Sequence, residues 1–112
     1  YETKRFHIVM QQPVFRAIAD PTRRSIMSLL AEGEQSLGAI ASHYEISRPA
    51  VSKHLKILEQ GGLVHVRSHG RERLHTLQPD ALKSVAEWLS FFAPFWDDKL
   101  DNLKRAVEAD DE

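Results

Sequence analysis

The chain of 112 residues contains no cysteine. That absence excludes disulfides, thiolate nucleophiles and cysteine-ligated metal centres together. No apolar run approaches the roughly 18 residues that a membrane span needs, and no secretion signal is read at the start. A cytoplasmic location with no membrane partner is the expectation. Also missing are a Ser-His-Asp order, a phosphate-binding glycine loop and paired carboxylates that could share a cleft. The expectation is therefore no enzyme and no cofactor. With no repeat and no long linker, one domain is expected. Hydrophobic residues make up 42% and charged residues 28%, enough for a core under a polar surface. A core this small gains from a dimer interface.

Net charge is also nearly absent, at −1. Its distribution is uneven. Residues 79–112 hold four Lys/Arg against nine Asp/Glu, and residues 1–78 hold eleven against seven. Such asymmetry points to one face for a polyanion and a different task for the acidic end.

Periodicity divides the chain. Residues 1–11 show no clear period and read as an N-terminal extension or leader, with Met10 a candidate start. A short helix over 12–19 carries Val14, Phe15 and Ile18. Asp20 and Pro21 cap and open a second helix, with Ile26, Leu29 and Leu30 inward and Gly33 as its stop. Ser36 caps a third helix that turns Leu37, Ile40, Ala41 and Tyr44 inward. Glu45-Ile46 makes a tight turn, and Ser47 caps a fourth helix that ends at Gly61-Gly62. Pro79 opens a long final helix with Leu82, Val85, Leu89, Phe92, Trp96, Leu100, Leu103 and Val107 at helical spacing. Pro94 should kink or split it.

The fourth helix, "SRPAVSKHLKILEQ", carries the chemistry. On a wheel, Val51, Leu55 and Leu58 form one stripe, with Pro49, Lys53 and Lys56 opposite and Ser52 on the flank. Arg48 lies at the N-terminal turn, where free N–H groups and the helix dipole favour an anion. Short polar and cationic side chains presented this way fit the DNA major groove. With the preceding helix and turn they make a helix-turn-helix. Ala41, Ile46, Val51 and Leu55 sit where that motif packs closely. Glu45 occupies a turn site that is often left-handed, at a cost of roughly 1 kcal/mol.

Residues 63–77, "LVHVRSHGRERLHTL", change to a period near two and read as a β-hairpin centred on His69-Gly70. A two-residue loop pairing Val66 with Arg73 would mix the faces. Pairing Val66 with Leu74 and Val64 with Thr76 makes one face apolar. His65 then faces His75, and Arg67 faces Arg73. That like-charge pair, with Arg71 at the tip, would be relieved by phosphate.

These residues resemble the ArsR/SmtB family of winged-helix transcriptional repressors. The likeness runs through "FRAIADPTRRSIMSLL", "LGAIASHYEISRPAVSKHLKILEQGGLV" and "RSHGRERLHTL", and covers residues 12–78. The closing "AEWLSFFAPFWDDKLDNL" is similar to the last helix of a metal-independent branch. The resemblance implies a mainly α winged helix-turn-helix with a two-stranded wing. It implies a homodimer that reads an inverted repeat in double-stranded DNA, most simply as an operon repressor. Ser47, Arg48, Pro49, Ser52, Lys53, His54 and Lys56 would read or position DNA, and Arg67, Arg71 and Arg73 would contact it from the wing. Val14, Phe15, Ile18, Leu82, Val85, Leu89, Phe92, Trp96, Leu100 and Leu103 would form the dimer interface, residues 79–112 being the dimerisation segment of the same domain. The cysteines of thiolate sensors are absent, and residues 79–112 contain no histidine, so no metal site of the family's usual kinds is expected.

Other readings are plainer. His65 and His75 across the hairpin, with His69 at the tip, could hold zinc given a third ligand, but solvent-facing polar residues are the simpler account. His54, at the edge of the buried stripe, reads as a packed, hydrogen-bonded histidine. Phe91, Phe92, Phe95 and Trp96 read as dimer core, with a small apolar effector between the last helices as the sharper reading. The main alternative function is a winged-helix protein-interaction module that meets an acidic partner. An RNA binder would need an exposed stacking platform that is missing here.

Overall fold

In a computed structural model, residues 12–110 are described. The expected N-terminal extension or leader, 1–11, and a start at Met10 lie outside the described residues.

Local chemistry sets the helices. Helix α1 spans 12–18. Helix α2, Pro21–Leu30, begins where the Asp20 carboxylate accepts the Arg23 backbone N–H at 3.1 Å. Strand β1 is only Gln35–Ser36, and the Ser36 hydroxyl accepts the Ala39 N–H at 3.1 Å to start α3, Leu37–Ala41. In the same way Ser47 Oγ accepts the Ala50 N–H at 3.2 Å and starts α4, Arg48–Gln60. Each cap satisfies an N–H that the first helical turn cannot.

The end of α4 uses its two glycines differently. Gly62, at φ +75°, donates to Glu59 O at 2.9 Å, and Leu63 N donates to Leu58 O at 3.0 Å. This is a left-handed helix stop followed by a buried apolar residue. Gly61 is right-handed at φ −79°, so its backbone does not require glycine. Space does, because a Cβ there would lie 2.9 Å from Pro13 O and 3.1 Å from Ala17 Cβ. Helix α1 therefore lies directly on the end of α4.

Strands β2, Val64–His69, and β3, Glu72–Leu77, form the hairpin, and β1 adds to the far edge of β3, giving the order β1-β3-β2. The expected two-stranded wing is thus part of a three-stranded antiparallel sheet. Neither register weighed from the sequence is found. Val64 pairs with Leu77, His65 with Thr76, Val66 with His75, Arg67 with Leu74 and Ser68 with Arg73. The cause is a two-residue Gly70-Arg71 loop with Gly70 at φ +62° and no positive φ at Arg71. Glycine first in a two-residue loop matches the type II′ hairpin turn, whose twist suits the strands. Arg67 and Arg73 do not face each other, and His65 and His75 lie on opposite faces of the hairpin.

The core joins Val14 and Ala17 of α1, Ile26 and Leu30 of α2, Ile40 of α3, Val51, Leu55 and Leu58 of α4, and Leu63 and Val64. Two details of the helix-turn-helix differ from expectation. Ile46 is 41% exposed instead of packed between the helices. Glu45 carries no left-handed strain, since no described non-glycine residue has a positive φ. The six residues 42–47 between α3 and α4 turn the chain gradually enough to avoid that conformation.

A 3-10 turn at Pro79–Ala81 leads into α5, Leu82–Ser90, and α6, Ala93–Asp110. The long final helix is split, as Pro94 requires: the proline lies in the first turn of α6, where its missing N–H costs nothing. Phe15 of α1 meets Trp88 edge-to-face at 5.5 Å, and Trp88 meets Phe92 at 5.2 Å. These contacts tie α5 back to the domain.

Candidate nucleic-acid interface

The α4 side chains that are not needed for the core fall on one side. Pro49, Ser52, Lys53 and Lys56 are all exposed, and their spacing keeps them on one helical face. Arg48 folds back over α3, where its Nη2 lies 3.2 Å from the point a Gly38 Cβ would occupy. Any side chain at Gly38 would have to displace that guanidinium.

Between α4, the start of α3 and the hairpin is a half-open cavity of about 620 Å³ lined by Arg48, Ser52, Lys56, Arg71, Arg73 and His75 among others. Three α4 candidates and two wing cations, separate in sequence, therefore border one hollow. Glu59 and Glu72 also line it and moderate its positive charge. Ser47, Pro49, Lys53, His54 and Arg67 are not part of that lining.

Two expected contact residues are engaged inside the protein. Arg67 donates to Glu34 through Nε at 2.8 Å and Nη2 at 2.7 Å. Glu34 also accepts the Thr76 hydroxyl at 2.9 Å. One carboxylate thus staples both hairpin strands from the residue before β1. Those two donors, Arg67 first, hold the Glu34 carboxyl down at about 2. His54 Nδ1 lies 3.2 Å from Arg23 Nη1 and 4.0 Å from Asp20 Oδ2, which fits a packed, hydrogen-bonded histidine. The Arg23 backbone N–H, above all, keeps the Asp20 carboxyl below its usual range. Sequence reasoning missed Glu34 and Arg23 as the partners of these residues. The pairs are 33 and 31 positions apart, and no local pattern signals them.

His75 takes the inward place that the sequence assigned to Leu74. It is 6% exposed, its Nδ1 has no hydrogen-bond partner among the described residues, and burial pushes its imidazole below the ordinary histidine range. No group of three or more metal-ligating side chains is found among the described residues.

Both titrations act in one direction. Glu34 is depressed, so its contribution is full above the unfolded value of 4.5 and fades as pH falls toward about 2. His75 is also depressed from 6.5, so the unfolded chain takes that proton first and acid favours unfolding. Glu34→Gln should melt below the wild type at pH 7, with the gap closing between pH 4.5 and about 2. Thermal unfolding across pH measures it; a gap that stays constant would show that the ionised carboxylate is not what staples the strands.

The proposed dimer residues divide into two groups. Val14, at 8% exposure, is spent on the core of its own chain, Ile18, Leu82 and Val85 pack partly against that core, and half-buried Phe15 packs on Trp88 of its own chain. By contrast Leu89, Phe92, Trp96, Leu100 and Leu103 are 40–62% exposed, joined by Phe91 at 78%. This apolar face on α5 and α6 has no partner within the chain.

Known proteins share this architecture. Residues 20–66 match the family described as bacterial regulatory protein, arsR family. Transcriptional repressor SdpR of Bacillus subtilis (strain 168) is 39% identical over 79 residues, 70% of this chain and 88% of the relative. The crystal structure of an ArsR family transcriptional regulator, RHA00566, superposes with TM-score 0.71 at 27% identity, covering 79% of this chain and 91% of that one. A solution structure of the homodimeric winged helix-turn-helix DNA-binding domain of Mb0332 from Mycobacterium bovis gives TM-score 0.67 at 25% identity, covering 83% and 89%. The chain belongs to the arsR family of regulatory proteins.

Proposed function

We propose that the protein is a sequence-specific double-stranded DNA-binding regulator of transcription that represses an operon by binding an inverted repeat as a homodimer. The carrying observation is that Arg48, Ser52 and Lys56 of α4 and the wing cations Arg71 and Arg73 border one hollow, with Pro49 and Lys53 exposed on the same helix. That arrangement fits a helix in the major groove with the hairpin against the backbone. The repressor from Bacillus subtilis and the homodimeric domain from Mycobacterium bovis support the role and the assembly. Among the described residues no helix is long and apolar enough to cross a membrane, which suits work on DNA in the cytoplasm.

In this reading Ser52, Lys53 and Lys56 face base edges, with Pro49 shaping the approach. Arg48, Arg71 and Arg73 take phosphates, and the free N–H groups behind the Ser47 cap add to them. Arg67 serves through Glu34, by holding the wing, and His54 serves through Arg23. The exposed face of α5 and α6, including Leu89, Phe92, Trp96, Leu100 and Leu103, meets its copy. Two recognition helices then lie about 34 Å apart, one duplex turn.

The test is titration of a duplex selected from a random pool. Arg71→Ala should weaken binding to all sequences about equally and reduce the salt slope by about one. Lys53→Ala should lose about 1–3 kcal/mol on the selected duplex and relax choice at one base pair. Retention of both affinity and choice in Lys53→Ala would remove that face from the groove.

A further inference from the structure

We propose that Arg23 is a positioning residue that fixes the angle of the recognition helix against α1, and with it the half-site spacing that a dimer accepts. The inference rests on the DNA-binding dimer proposed above.

Apolar contacts hold α4 in the domain through Val51, Leu55 and Leu58. Packing restricts the crossing angle, since side-chain ridges allow a scatter of only about 15–20° and Gly61 seats the end of α4 on Pro13 and Ala17 of α1. Within that range the directional contact comes from one guanidinium. Arg23 Nε donates to Ala17 O at 2.8 Å and Nη2 donates to Arg16 O at 2.8 Å. Its third arm, Nη1, meets His54 Nδ1 of α4 at 3.2 Å. No other side-chain hydrogen bond joins α1 or α2 to α4 among the described residues. A planar, always-charged fork is rigid in a way a lysine is not, and the two carbonyls it grips are at the negative end of α1.

The other side of α1 completes a physical path. Phe15 packs on Trp88 at 5.5 Å, and Trp88 on Phe92 at 5.2 Å, next to the exposed apolar face. The proposed dimer surface is thus joined through α1 and Arg23 to the helix that reads DNA. Geometry makes the joint sensitive. Pivoting at Gly61, where α4 meets α1, a tilt of about 10° over the roughly 20 Å length of α4 moves its N-terminal end by about 3 Å, close to one base-pair step.

The experiment titrates full-length wild type, Arg23→Gln, Arg23→Lys, His54→Leu and His54→Gln against a selected inverted repeat and against versions with the spacer one base pair longer or shorter. Circular dichroism and melting temperature accompany each variant. Arg23→Gln, Arg23→Lys and His54→Leu should lose about tenfold on the best spacer and distinctly less on its neighbours. The spacer preference then flattens. His54→Gln keeps an acceptor and should retain the spacer ranking, whatever its affinity. If Arg23→Gln does not fold, His54→Leu, which leaves both α1 bonds in place, carries the test. Equal loss on every spacer, or no loss, overturns the proposal while leaving the regulator reading intact. A wild type that selects no duplex overturns that reading itself.

Discussion

Leu58→Ala is expected to lower the stability of the domain by about 3 kcal/mol. Leu58 is fully buried and lies among the largest enclosed side chains of the core, with Ile26, Ile40, Val51 and Leu63. Truncation removes its transfer energy and leaves a void that rigid neighbours fill poorly. Small domains hold only about 5–15 kcal/mol in all, so the melting temperature should fall by roughly 10–20 °C. The function suffers with the fold, because Leu58 and its stripe partners seat the recognition helix. Exposed Lys53 provides the contrast: Lys53→Ala should change stability by no more than about 0.5 kcal/mol. Thermal unfolding of both separates a residue that holds α4 from one that works from its surface. A loss below about 1 kcal/mol for Leu58→Ala would mean that α4 is seated in some other way.

Trp96→Glu should give a folded monomer. Trp96 is 56% exposed within its own chain, so a glutamate there costs the isolated fold little. In a dimer the same carboxylate would be buried without a partner, at a cost of several kcal/mol. Two linked half-sites reinforce each other through effective concentration, so operator affinity should fall by about a hundredfold or more. Sedimentation gives the mass and anisotropy the affinity. A Trp96→Glu protein that still sediments as a dimer would move the interface away from this face of α6.

Much of this architecture was legible because it is local. Asp20, Ser36 and Ser47 each cap a helix through a bond to a residue three positions on, and such signals are written in a short stretch. Gly61-Gly62 and Pro94 mark real ends for similar reasons. The hairpin register is not legible in the same way, because an apolar Leu74 suggests an inward place that His75 takes instead. A single positive-φ glycine at position 70 decides the turn, and His75 enters the core with an unpartnered nitrogen as the consequence. Glycine first in a two-residue loop was the available signal. The site was legible as a set of basic residues but not as a geometry. Nothing in the sequence binds Arg67 to Glu34, or His54 to Arg23, across more than thirty positions. Nor could it separate Val14, which belongs to the core, from Phe92, which remains at the surface.

The central claim is that the α4 face and the wing read a DNA sequence. Fluorescence anisotropy of the purified protein on labelled duplex from upstream of its own coding region, challenged with scrambled duplex, tests it most directly. Binding should survive a roughly thousandfold excess of scramble, the lower range of specific over non-specific discrimination. If scramble displaces the labelled duplex one for one, and a duplex selected from a random pool fares no better, the basic face does not read sequence and the account is contradicted.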